Sequence, residues 1–162
     1  MIRSKASDDK KIRRMALEIA ERNSDKAEII IIGIKENGIF IAKKNANYLR
    51  AVFTGSVITL SLIINKKEPE EIQLSENLSL RGKFIILADD VANSGRTMLY
   101  ALRPLLDLYP AQIETLALVE RTHKLFPVAL NYVGLSVSTA ADENIAVQVV
   151  DGEITGEENF NT

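Results

Sequence analysis

Apolar positions along this chain alternate between two periods. Ile12, Met15, Ala16, Ile19 and Ala20 recur at the i, i+3, i+4, i+7, i+8 spacing of one helical face, with Asp8 ahead of them as the expected cap and polar Asn23-Ser24-Asp25 behind. Glu28 to Ile32 then reads as almost wholly apolar and β-branched, the pattern of a strand covered on both faces. Ile39, Ala42, Ala46 and Leu49 return to helical spacing, and Phe53 to Ile64 forms a second β-rich run.

Asn65 to Glu71 is polar and broken by Pro69, which predicts an exposed turn or mobile loop, and Asn77 to Lys83 reads as another connection. Phe84 to Leu87 is a further buried-type strand, delivering Asp89 and Asp90 at its carboxyl end. Met98, Ala101, Leu102, Leu105 and Leu106 mark the next helix, where Pro104 removes an amide donor and predicts a kink or a short helix. Ile113 to Val119 and Ile145 to Val150 supply more strands, and the polar tail Gly152 to Thr162 is expected to fray.

Helices alternating with apolar strands predict an α/β fold: one domain over residues 1–162, with an open, mainly parallel sheet flanked by helices and right-handed crossovers. In such sheets ligands bind beyond the carboxyl ends of the strands. No apolar run approaches the ~20 residues that span a bilayer, and the N-terminus lacks the apolar stretch of a signal peptide. A cytoplasmic protein with no membrane contact is expected.

Composition narrows the chemistry. Without cysteine there are no disulfides or thiolate metal sites, and the single His123 is too little for a typical structural zinc site, so any metal would be held by oxygen. His123 sits in a polar connection and is assigned no catalytic role. A net charge of −2 provides no general field for phosphate backbones. RNA is thereby disfavoured as a partner without being removed, since Lys10, Lys11, Arg13 and Arg14 are ordinary helix-surface charges.

The most informative segment is IILADDVANSGRT, Ile85 to Thr97: apolar residues, two adjacent acids, then small and hydroxyl residues entering a helix. Asn93, Ser94 and Gly95 allow the backbone to bend so that amides converge on an anion at the helix N-terminus. Asp89 and Asp90 would repel that anion, but their oxygens suit sugar hydroxyls nearby, and a sugar phosphate satisfies both halves. Ser94 and Thr97 add hydroxyls, while Arg96 either adds charge or lies on the surface. Neither GxxxxGK[ST] nor GxGxxG occurs.

This segment resembles the phosphoribosyl pyrophosphate signature of type I phosphoribosyltransferases. With IRRMALEIAERN, IIIIGIKENGIFIAKK, ALVERTHKLFPVALNYVG and IAVQVV, the chain is similar to the PyrR family, pyrimidine-operon attenuators that also have uracil phosphoribosyltransferase activity. The resemblance implies that Asp89 and Asp90 bind ribose and that Val91, Ala92, Asn93, Ser94, Gly95, Arg96 and Thr97 bind the 5-phosphate. It places pyrophosphate at Lys35, Glu36, Asn37 and Gly38, where Asn37 stands in place of the basic residue common in the family. A flexible loop over Leu62 to Ser75 would close on substrate through Lys66 or Lys67, without the family's arginine. Glu120 to Lys124 resembles the start of a small base-covering region.

The implied reaction is Mg²⁺-dependent transfer of ribose 5-phosphate from phosphoribosyl pyrophosphate to a nucleobase, a pyrimidine and specifically uracil, with no covalent nucleophile. Most of the metal's ligands would be substrate oxygens. The alternative is a phosphoribosyl pyrophosphate- or nucleotide-binding regulator with weak or no transfer. A homo-oligomer, a dimer, is the expected assembly.

Overall fold

Four consecutive isoleucines, Ile29 to Ile32, are all at 0% exposure and set the centre of the fold. In a strand successive side chains point to opposite faces, so Ile29 and Ile31 enter one core while Ile30 and Ile32 enter another. Each such burial contributes about 1.5–3 kcal/mol before the entropy of ordering the chain is subtracted. A strand with this pattern must be covered on both sides, and here it is. The computed structural model describes residues 5–34, 36–64, 72–74, 78–138, 143–150 and 153–161.

In chain order the elements are α1 (Lys5–Arg22), β1 (Glu28–Ile34), α2 (Gly38–Val52), β2 (Ser56–Ile64), β3 (Ile72–Leu74), β4 (Phe84–Ala92), α3 (Arg96–Leu106), β5 (Gln112–Arg121), β6 (Tyr132–Val137), β7 (Glu143–Val150) and β8 (Glu153–Asn161). The main sheet has the order β3-β2-β1-β4-β5-β6. Its last five strands in that order are parallel, and β3 is an antiparallel edge on β2. Helices α1 and α2 cover one face with Ile12, Met15, Ile19, Ile41 and Leu49, while α3 covers the other with Met98, Ala101 and Leu105. The α/β architecture read from the periodicity is therefore present.

Several local expectations are corrected. Asp8 is buried in the first turn of α1 instead of capping it, because the helix already runs from Lys5; an acid in that turn still favours the helix dipole. Phe53 caps the end of α2, its N–H donating to the Leu49 carbonyl at 2.8 Å, and β2 begins only at Ser56. Pro104 lies in the last turn of an 11-residue helix that stops at Leu106, in line with the expected short helix. Where a frayed tail was expected over 152–162, β8 pairs antiparallel with β7 as a separate two-stranded sheet.

Both ends of the expected flexible loop, 62–75, contain paired strand: Leu62 pairs with Leu74, Ile63 with Gln73 and Ile64 with Ile72. Lys66 and Lys67 lie outside the described residues, as does Lys35. β6 carries no expectation from the sequence. It pairs with β5 from Leu116↔Tyr132 to Arg121↔Val137 and is anchored by Tyr132, which is fully buried.

Candidate functional site

The sheet order determines where a ligand can enter. From β1 the chain crosses through α2 to β2 on one side, and later returns to β4 on the other side of β1. The loops leaving β1 and β4 therefore diverge at the carboxyl edge, opening a crevice at this topological switch point. One loop leads through Glu36 and Asn37 and the other is Asn93–Gly95. Both run into helix N-termini, so the positive ends of α2 and α3 border the same crevice.

A hydrogen bond across the crevice joins the β1–α2 loop to the carboxyl end of β4. Asn37 Nδ2 donates to Asp90 Oδ2 at 3.2 Å, and the other oxygen of Asp90 accepts the Val91 N–H at 2.8 Å. Asp89, only 7% exposed, accepts the Asp90 N–H at 2.8 Å. The approach depends on Gly38: a Cβ there would sit 2.9 Å from the Ala88 carbonyl oxygen and 3.2 Å from Asp89 Oδ1. Glu36 is exposed at the rim.

The bend after β4 is shorter than the Val91–Thr97 segment singled out by the motif. Val91 and Ala92 are still strand, in register with Val119 and Glu120, so the turn proper is Asn93, Ser94 and Gly95. β-branched Val91 and small, buried Ala92 continue the ladder because β5 offers them partners. Gly95 has φ of 85° and is the N-cap residue of α3. Ser94 Oγ accepts the Arg96 N–H at 3.2 Å. Thr97 is half-buried in the first turn, and Arg96 is exposed with its guanidinium 5.4 Å from the Tyr100 ring centroid.

One contributor escaped sequence reasoning. Leu125 and Phe126 donate their N–H groups to the Ser94 carbonyl at 3.1 and 3.0 Å, clamping the turn from the β5–β6 connection. Lys124 forms an ion pair with Glu120, whose second oxygen accepts the Ser136 hydroxyl at 3.1 Å. A Cβ on Gly95 would be 3.4 Å from Lys124 Cδ and 3.3 Å from the Phe126 carbonyl oxygen. The opposite charges at 120 and 124 were visible in the sequence, but their proximity to Gly95 was not. His123 is exposed, and Arg121 is buried at the end of β5.

Farther back, Tyr132 donates its hydroxyl to Glu114 Oε1 at 2.7 Å and accepts from Asn23 Nδ2 at 3.0 Å. Burial, with the Glu114 hydrogen bond, pushes its phenol up from 10 to about 12. This cluster ties α1 to β5 and β6 outside the crevice.

Residues 6–151 match the family profile of the phosphoribosyl transferase domain. The bifunctional protein PyrR of Pediococcus pentosaceus is 34% identical over 154 residues, covering 86% of this chain and 87% of that protein. The pyrimidine operon regulatory protein of Lactococcus lactis is 33% identical over 144 residues, covering 85% and 83%. Among solved structures, the hypoxanthine phosphoribosyltransferase of Trypanosoma cruzi is similar in fold, with a TM-score of 0.77 over 94% of this chain and 93% of that one at 15% identity.

Proposed function

The chain belongs to the phosphoribosyltransferase family and transfers ribose 5-phosphate from phosphoribosyl pyrophosphate to a nucleobase, and we propose that this base is a pyrimidine, uracil. The observation that carries the site assignment is the meeting of the β1–α2 loop with the end of β4 at the β1/β4 crevice, where Asn37 is bonded to Asp90 ahead of the left-handed turn at Gly95. Uracil is supported by relatives whose names tie them to the pyrimidine operon.

In this reading Asp89 and Asp90 accept hydrogen bonds from the ribose hydroxyls, and the Asn93–Gly95 turn with the start of α3 holds the 5-phosphate through backbone amides, Ser94 and Thr97. Val91 and Ala92 support the turn from the strand, and Arg96 adds positive charge at its mouth. Pyrophosphate lies toward Lys35, Glu36, Asn37 and Gly38, at the α2 N-terminus. As the base nitrogen forms its bond to the anomeric carbon, the bond to pyrophosphate oxygen breaks and the base loses its proton. The residues hold the ribose and exclude water, so catalysis is mainly positioning and electrostatics. The family resemblance supports Lys66 or Lys67, outside the described residues, as a further contact to pyrophosphate.

Among the described residues no three acidic or histidine side chains gather to hold a metal by themselves. The two hard carboxylates at the sugar side fit a Mg²⁺ ion that takes most of its ligands from substrate oxygens and water. When bound, it supplies neutralising charge for the departing pyrophosphate. A cytoplasmic homodimer acting in pyrimidine salvage completes the proposal. No described helix is long and apolar enough to cross a membrane.

A second reading, a ligand-binding regulator with little transfer, is favoured by the neutral Asn37 at the pyrophosphate loop. RNA would then be the output partner, as the operon-regulating relatives suggest, although the net charge of −2 gives it little general attraction. Incubating the protein with Mg²⁺, phosphoribosyl pyrophosphate and each common base decides between the readings. Nucleotide formed preferentially from uracil is expected. Tight phosphoribosyl pyrophosphate binding without nucleotide from any base would replace the transferase with the regulator, and no binding would overturn the site.

A further inference from the structure

Asn37 is the N-cap residue of α2, a position where asparagine usually turns its side chain back to cap its own helix. Here there is no side-chain cap hydrogen bond, and Nδ2 reaches across the crevice to Asp90 Oδ2 instead. Asp90 is thus held from two directions, by Val91 N–H on its own strand and by Asn37 from the opposite loop. A carboxylate has about four acceptor positions, so these two donors leave room for sugar hydroxyls. What they remove is the side chain's freedom to rotate away. Gly38 allows the close seating of the loop against Ala88 and Asp89, so the contact is built into the backbone path.

We propose that Asn37 is a positioning residue of the ribose subsite, orienting Asp90 so that a residue of the β1–α2 loop controls affinity for ligands that contain no pyrophosphate. The proposal rests on the assignment of Asp90 to the ribose hydroxyls. Preorganising the carboxylate lowers the cost of ordering it when the sugar binds. The β1–α2 loop and the end of β4 therefore act as one recognition unit.

Calorimetric titrations of wild type, Asn37→Ala and Asn37→Asp with phosphoribosyl pyrophosphate and ribose 5-phosphate, beside thermal melts, test this directly. Loss of one hydrogen bond to a charged group should weaken ribose 5-phosphate binding about tenfold in Asn37→Ala. Asn37→Asp should weaken it further, because it removes the donor and sets a like charge against Asp90. The melting temperature should stay at the wild-type value in Asn37→Ala. If Asn37→Ala binds ribose 5-phosphate like wild type, the positioning role is wrong. If wild type itself binds neither phosphoribosyl pyrophosphate nor ribose 5-phosphate, the ribose-site assignment fails, and the proposal fails with it.

Discussion

Replacing Gly95 with alanine isolates the contribution of the Asn93–Gly95 turn, because Gly82 provides an internal control. Both glycines have positive φ, 85° at Gly95 and 70° at Gly82. A Cβ at Gly82 meets nothing within 4 Å, whereas at Gly95 it meets the Phe126 carbonyl oxygen at 3.3 Å and Lys124 Cδ at 3.4 Å. An L-residue in the left-handed region costs roughly 1–2 kcal/mol, so each variant should lose about that much stability. At about 2–4 °C per kcal/mol for a chain of this size, both should melt roughly 2–8 °C lower than wild type.

Ligand binding separates the two. The Phe126 segment is itself bonded to the Ser94 carbonyl, so relief of the contact in Gly95→Ala displaces the turn that we propose holds the 5-phosphate. One lost charge-assisted hydrogen bond is worth about 1.5–3 kcal/mol, equivalent to roughly a 10- to 100-fold fall in phosphoribosyl pyrophosphate affinity. Gly82→Ala should bind as wild type does. Thermal melts followed by circular dichroism, with calorimetric titration of the same samples, provide both numbers. If Gly95→Ala retains wild-type affinity, or if Gly82→Ala loses as much, the turn is not the phosphate cradle.

Three other outcomes are expected. Asp89→Asn with Asp90→Asn should weaken phosphoribosyl pyrophosphate binding measured by calorimetry while leaving the circular dichroism spectrum unchanged; unchanged affinity would remove both acids from ribose recognition. Lys66→Ala with Lys67→Ala should lower turnover more than ground-state binding of the 5-phosphate end, which steady-state kinetics beside a ribose 5-phosphate titration will separate. Because the Tyr132 phenol is raised from 10 to about 12 in the fold, its protonated form is favoured by folding. That stability is fully present below pH 10 and is lost as pH rises through 12, by at most about 2–3 kcal/mol. Denaturant melts between pH 9 and 12 should therefore fall more steeply in wild type than in Tyr132→Phe; parallel slopes would deny the linkage.

The sequence by itself determined the features that depend on near neighbours. Strand and helix periods placed α1, β1, α2, β4, α3 and β5, and the run of acids followed by Asn93, Ser94 and Gly95 located one wall of the crevice, because those properties repeat over a few residues. Tertiary structure decided what depends on pairing between distant segments. β6 and β8 became strands through their partners β5 and β7, and Val91 and Ala92 stayed in the sheet because β5 extends alongside them. Asn37 read as a missing charge until the β1/β4 neighbourhood brought it within 3.2 Å of Asp90. The clamp of Leu125 and Phe126 on Ser94 likewise has no local signature, since its donors are backbone amides that every residue of that connection possesses. Periodicity records which face of an element is buried; strand order and register, which bring residues 37, 90, 94 and 125 into one site, arise only when the elements pack.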